Sequence, residues 1–190
     1  MINRELYMEQ ITPFIDKPFV KVITGIRRCG KSVVLRLIRE ELLRRGVSED
    51  YIIYMNFESF EWIDMKEAKA LYAHIREATK APGKYYILLD EIQEVTDWEK
   101  AVNAFLVDLD VDIYVTGSNS RLLSSEFSTY LAGRYVAFHI MTLSFREYLL
   151  FHDLPLTISV SDRKTEFLKY LRMGGFPAIH TCLLYTSPSP

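Results

Sequence analysis

Apolar positions run along this chain in two alternating rhythms. Short, nearly unbroken apolar runs stand at Phe19 to Thr24, Tyr51 to Phe57, Tyr85 to Leu89 and Val111 to Thr116, with a fifth from Arg134 to Ile140. Between them the apolar residues recur every three or four positions. Val34, Ile38 and Leu42 follow one another within 32–45, and similar spacing marks 64–79 and 97–109. The first rhythm predicts strands and the second predicts helices. Strands that are apolar at nearly every position must be covered on both faces. Their alternation with helices therefore predicts an α/β fold built on a five-stranded parallel sheet with helices on both sides.

Local signals refine the outline. Leu6, Gln10 and Phe14 share one face of a short helix over 3–14, with Pro18 marking its exit. Gly46 is placed to stop the helix over 32–45. Asp64 and Asp97 open the next two helices and are expected to cap them. A further helix is expected around 121–131, before the fifth strand.

Composition narrows the class without naming the chemistry. The 190 residues are 49% hydrophobic and 25% charged, enough for one domain with a sizeable core. A net charge of -2 and a pI near 6.1 supply no bulk attraction to nucleic acid or anionic membrane, so a nucleic-acid partner has no support here. The N-terminus is charged where a signal peptide needs apolar residues, and no apolar run approaches a bilayer span; the expectation is a soluble, cytoplasmic protein. Cys29 and Cys182 show neither disulfide nor metal-ligand spacing. His74, His139, His152 and His180 are scattered without a pairing pattern, which argues against a catalytic or metal role.

Candidate chemistry enters with Gly25 to Ser32. GIRRCGKS satisfies the phosphate-loop pattern G-x-x-x-x-G-K-[ST], and it lies between a predicted strand and a predicted helix, as that loop requires. Gly25 and Gly30 reach backbone angles that turn successive N–H groups toward an anion. Lys31 would meet the β- and γ-phosphates, and the Ser32 hydroxyl would ligate Mg²⁺. Ile26, Arg27, Arg28, Cys29 and Val33 complete the candidate binding segment. Arg27 and Arg28 read equally as added charge near phosphate or as a solvated loop. Cys29 reads as an oxidation-sensitive thiol or, more simply, as a small filler.

Two more strand ends carry polar groups to the same edge of a parallel sheet. Asp90 follows YYILL and is placed to hold the Mg²⁺ shell, while Glu91, one residue on, is placed to polarise an attacking water. TGSN over Thr116 to Asn119 offers Ser118 or Asn119 to sense the γ-phosphate or orient water, with a helix cap as the simpler role. Asn56, ending the second strand, is a candidate to hydrogen-bond Glu91 and hold it from water.

Taken in order, GIRRCGKS, YYILLDEIQ, VTGSN, LAGR near Arg134 and GGFP at Gly174 to Pro177 resemble the AAA-type ATPase domain of a large prokaryotic family of P-loop ATP-binding proteins. The resemblance implies sheet order 5-1-4-3-2, Mg-ATP as ligand, hydrolysis driven by Glu91 and a further C-terminal domain. It implies that Pro177, in a Gly-x-Pro element, lies near the adenine where a lid begins; a plain turn is the alternative. It also implies that Arg134 meets the γ-phosphate in cis or from a neighbouring subunit, which would require an oligomer, unless it is an ordinary strand-start arginine.

On this reading, residues 1–172 form the ATPase core and 173–181 begin a truncated lid. Residues 182–190, CLLYTSPSP, are rich in turn residues and match a translation of sequencing-adapter DNA; the expectation is that the natural product diverges near Thr181 and continues. The functional expectation is an Mg²⁺-dependent ATPase coupled to that missing domain. A slow nucleotide-dependent switch acting on a protein partner is the alternative. A small-molecule kinase is less favoured because of the acidic pair, and a GTPase because no N-K-x-D motif occurs.

Overall fold

The computed structural model describes residues 4–118, 122, 131 and 133–180. Five strands form in the predicted places: β1 (Val20–Gly25), β2 (Ile52–Asn56), β3 (Tyr85–Asp90), β4 (Val111–Gly117) and β5 (Tyr135–Ile140). All neighbours are parallel, in the order β2-β3-β4-β1-β5. Read from the other edge, this is the order 5-1-4-3-2 that the family resemblance implies.

Side chains alternate across the sheet with a period of two and feed two cores. Val20, Val22, Ile87, Leu89, Ile113 and Val115 enter one core, with Leu71 and Ile75 of α3 (Ala68–Ala78) and Val102 and Phe105 of α4 (Trp98–Asp108). Ile23, Leu88 and Tyr114 enter the other, beneath α1 (Glu5–Ile11) and α2 (Lys31–Arg44). Each buried aliphatic side chain contributes roughly 1.5–3 kcal/mol of transfer free energy. Two cores on opposite faces therefore hold the sheet in a three-layer sandwich.

The helix behind the loop is set by its two ends. Gly30 begins α2 at a φ of 108° with no side-chain cap. At the other end Gly46 takes a φ of 88°, its N–H bonding Leu43 O at 2.9 Å while Val47 N–H reaches Leu42 O at 3.1 Å. That pairing is a Schellman stop, as the glycine predicts.

The expected aspartate caps do not form. Asp64 falls within a 3-10 segment, Phe60–Met65, and α3 starts later, after Glu67 and without a side-chain cap. Asp97 does precede α4, but at a φ of 57° its carboxylate pairs with Lys100 at 2.8 Å instead of a backbone N–H. Local spacing marks a cap position; the backbone angle decides whether the side chain can use it. The helix expected over 121–131 lies largely outside the described residues, as does the 182–190 tail. After β5 come α5 (Phe145–Phe151) and α6 (Val160–Met173), helices for which the apolar pattern supplied no expectation. Ser144 and Glu147 cap α5 reciprocally.

Candidate functional site

A parallel sheet brings the C-terminal ends of all its strands to one edge. Here Gly25 of β1 pairs with Ile140 of β5, and Asn56 of β2 with Asp90 of β3, so the loops after them open together. The segment from Gly25 to Ser32 curls over this edge. Gly25 sits at a φ of 156°, and a Cβ there would collide with the Ile140 carbonyl and with Cys29 Sγ. A side chain at Gly25 would thus push the loop off the sheet. With no side-chain cap on α2, the amides of its first turn stay available to an anion.

Lys31 is only 4% exposed, yet it borders the cleft and its Nζ lies 3.2 Å from Glu91 Oε1. Glu91 adopts a left-handed conformation, φ 56° and ψ 48°, immediately after β3. That turn aims its carboxylate back toward the loop, where Gln93 Nε2 donates to Oε2 at 2.5 Å. Asp90, wholly buried, accepts from the Thr116 hydroxyl on Oδ1 and from the Tyr54 hydroxyl on Oδ2 at 3.0 Å. Burial, with the neighbouring Asp90 charge, pushes the Tyr54 hydroxyl up, so it remains a donor. Thr116 Oγ1 also accepts from the Glu91 N–H at 2.9 Å. One threonine therefore registers both members of the acidic pair against β4.

These groups line two adjoining clefts of about 380 Å³ and 300 Å³. Arg27, Arg28, Gly30, Lys31, Ser32, Val33 and Pro177 border the first, and Ser118 joins Lys31, Glu91 and Gln93 at the second. A larger hollow of about 820 Å³ lies between α1 and α2, but Glu5, Glu9, Glu40 and Glu41 line it, the wrong sign for phosphate. Among the described residues no cluster of three or more His, Cys, Asp or Glu could hold a metal ion. Mg²⁺ is commonly held by one or two protein oxygen groups together with substrate phosphates. The Ser32 hydroxyl on the cleft and the buried Asp90 carboxylate are a hard oxygen donor set of that kind.

Other candidates fare differently. Arg27 is exposed, its guanidinium 3.2 Å from Glu58 across the cleft mouth. Cys29 is wholly buried, and burial pushes its thiol up, so it fills space instead of reacting. Asn56 does not hold Glu91: its Oδ1 accepts from the Glu58 N–H at 3.0 Å in a local turn. Asn119 lies outside the described residues. Arg134 precedes β5, at the opposite edge of the sheet, where it donates to Asn103 at 3.2 Å. The fold does not bring it to the phosphate loop of its own chain. Pro177 does reach that loop, because Gly175 O accepts from Leu143 N–H at 2.7 Å and folds the GGFP segment back over the edge.

The histidines are not all scattered. His152 Nε2 and His180 Nδ1 are 3.2 Å apart, and His180 Nε2 is 2.8 Å from Gly174 O, so the pair braces the base of this segment. Burial and the neighbouring His180 hold His152 below the usual histidine range.

Arg4 lies outside every motif of the sequence. It is almost fully buried, donating to Cys29 O in the loop at 2.9 Å and to Met141 O after β5 at 2.8 Å. Its Nε lies 2.6 Å from Glu147 Oε1, close as an ion pair but off the line of a hydrogen bond. No local pattern marks an isolated arginine for such a role. Gln93 and Thr116 were closer to view, since both lie within the YYILLDEIQ and VTGSN segments.

An AAA domain family model matches residues 17–149. An uncharacterised protein of Haemophilus influenzae is 43% identical over 182 residues, covering 94% of this chain and 44% of that protein. An uncharacterised protein of Methanocaldococcus jannaschii is 35% identical over 184 residues, covering 94% of this chain and 39% of that one. The chain thus spans less than half the length of either relative. AMPPCP-bound DnaA from Aquifex aeolicus superposes with a TM-score of 0.61 at 17% identity, over 97% of this chain and 61% of its own. Aeropyrum pernix ORC1, in complex with DNA, gives 0.59 at 17%, over 97% and 59%. At such identity these two speak to the fold alone, and the fold agrees. With a matching model over most of its length, a phosphate loop on β1 and an acidic pair ending β3, the chain belongs to the AAA domain family, whose P-loop fold binds nucleotide.

Proposed function

We propose that this chain is the core of an Mg²⁺-dependent ATPase. The observation that carries the reading is Lys31 Nζ standing 3.2 Å from Glu91 Oε1 over a loop whose helix start lacks a side-chain cap. A cation for phosphate and a carboxylate for water thus meet in one cleft. Lys31 and the loop amides would bind the phosphates, and Ser32 and Asp90 would hold the metal, Asp90 directly or through water. Bound Mg²⁺ would neutralise charge on the transferred phosphoryl group. Glu91 would orient and polarise the attacking water, and Ser118 or Asn119 would sense the γ-phosphate. Pro177, at the cleft, fits a place beside the base, with 173–181 beginning a lid. The AMPPCP seen with DnaA supports an adenine nucleotide as ligand.

A slow switch is the second reading, and the position of Arg134 favours it for an isolated chain. Since that arginine does not reach its own phosphate loop, fast turnover would await a neighbouring subunit or a partner. The longer relatives support a further domain as that partner. The composition and the lack of a long apolar helix among the described residues support a cytoplasmic setting.

Mg-ATP binding and steady-state hydrolysis test the proposal, alongside Lys31→Ala and Glu91→Gln. Lys31→Ala is expected to weaken binding by at least about tenfold, the loss of one charge-assisted contact. Glu91→Gln is expected to bind ATP while turnover falls by about 10²-fold or more. Wild type that binds without hydrolysing would favour the switch; a Glu91→Gln protein that turns over normally would remove Glu91 from the chemistry.

A further inference from the structure

We infer that Gln93 is the positioning residue of this site, holding Glu91 in place when Lys31 turns to phosphate; this rests on the nucleotide-binding reading above. The Gln93 amide is wedged between two elements. Its Nε2 donates to Glu91 Oε2 at 2.5 Å, and its Oε1 packs so closely on the end of β4 that a Cβ on Gly117 would overlap it. That oxygen is buried and, among the described residues, has no hydrogen-bond partner. Turning the amide over would set its oxygen against a carboxylate, so the donor must face Glu91.

A buried acceptor without a partner lowers the stability of a fold, and native proteins keep few of them. Gln93 keeps one while serving Glu91. In this arrangement Glu91 is shared, Lys31 on Oε1 and Gln93 on Oε2. Lys31 is also the cation a γ-phosphate requires. Once Lys31 engages phosphate, Glu91 loses its counter-ion and faces another anion. The Gln93 N–H then remains as the donor that fixes the carboxylate and spreads its charge. Asn56 does not share the task, because its side chain closes the turn at Glu58.

The test is a double-mutant cycle on the full 190-residue chain, reading the Kd of Mg-AMPPCP and the Tm for wild type, Gln93→Met, Glu91→Gln and the double variant. Methionine keeps the length of the side chain and removes the amide. Gln93→Met is expected to weaken AMPPCP roughly threefold to tenfold, the worth of one hydrogen bond. In the Glu91→Gln background, without the charge, the same change should leave Kd within about twofold. Tm should hold or rise, because the orphaned acceptor is gone. Equal losses in both backgrounds, no loss in either, or a Tm that falls in step with affinity would each overturn the inference. A wild type that binds no AMPPCP overturns the functional reading and this inference with it, whereas wild-type binding with an additive cycle overturns this inference alone.

Discussion

Thr116 has a single hydroxyl that serves both members of the acidic pair, donating to Asp90 and accepting from the Glu91 N–H. Valine has nearly the same shape and neither function. Thr116→Val is therefore expected to destabilise the protein by about 1.5–3 kcal/mol, the range for a buried hydrogen bond to a charged group. Urea denaturation checks this, and an unchanged midpoint would mean that Tyr54 alone satisfies Asp90. At this scale the sequence was legible where chemistry is local. GIRRCGKS names its own residues, because a phosphate loop is a run of consecutive amides and one lysine. The link from Asp90 to Thr116 crosses from β3 to β4, 26 residues apart, and no local spacing reports it.

At the scale of elements, α2 shows why its two ends differ. Its start is left without a side-chain cap, whereas its C-terminal part is closed by Gly46 and by Glu41 between Arg44 and Arg45, each 2.8 Å away. Hydrogen bonds from Arg44, then Arg45, hold the Glu41 carboxyl down to about 2, from an ordinary value of 4.5. A carboxyl depressed in the folded state adds stability that is fully present above its unfolded value and is lost as pH falls through its folded one. Unfolding measured from pH 5 to pH 2 should therefore steepen because of Glu41, at about the values just given. In Glu41→Gln that part of the pH dependence should flatten, and high salt should shrink the difference because the group is near the surface. Identical pH profiles would show that the pair contributes nothing. Strands and helices were legible as elements because each apolar run or repeat is complete within a few residues. Asp64 caps nothing because α3 begins later, after Glu67, and the Asp97 cap failed because a cap also needs a backbone angle, which tertiary packing sets.

Across the whole molecule, Arg4 ties together parts of the chain that are far apart in sequence. Its guanidinium joins the loop at Cys29, the exit of β5 at Met141 and the capped start of α5 at Glu147. Arg4→Met would strand the partly buried Glu147 and free the loop carbonyl. The expected cost is about 3–5 kcal/mol, as for other buried pairs broken on one side. Chemical denaturation measures it, and Arg4→Met/Glu147→Gln should recover part of the loss. Equal stability of the single variant and wild type would refute the bracing role.

Short stretches of chain suffice to specify the parallel sheet, its covering helices and the phosphate loop, because burial on two faces and a cradle of successive amides are local properties. Even the Asp90-Glu91 pair follows from its place at a strand end. Folding in three dimensions settles which neighbours many of those groups obtain. It sent Arg134 to the far edge, brought His152 to His180 and buried Arg4 under the loop. Those outcomes depend on strand order, backbone angle and the alternation of side chains across the sheet. Such properties arise only when residues distant along the chain pack together.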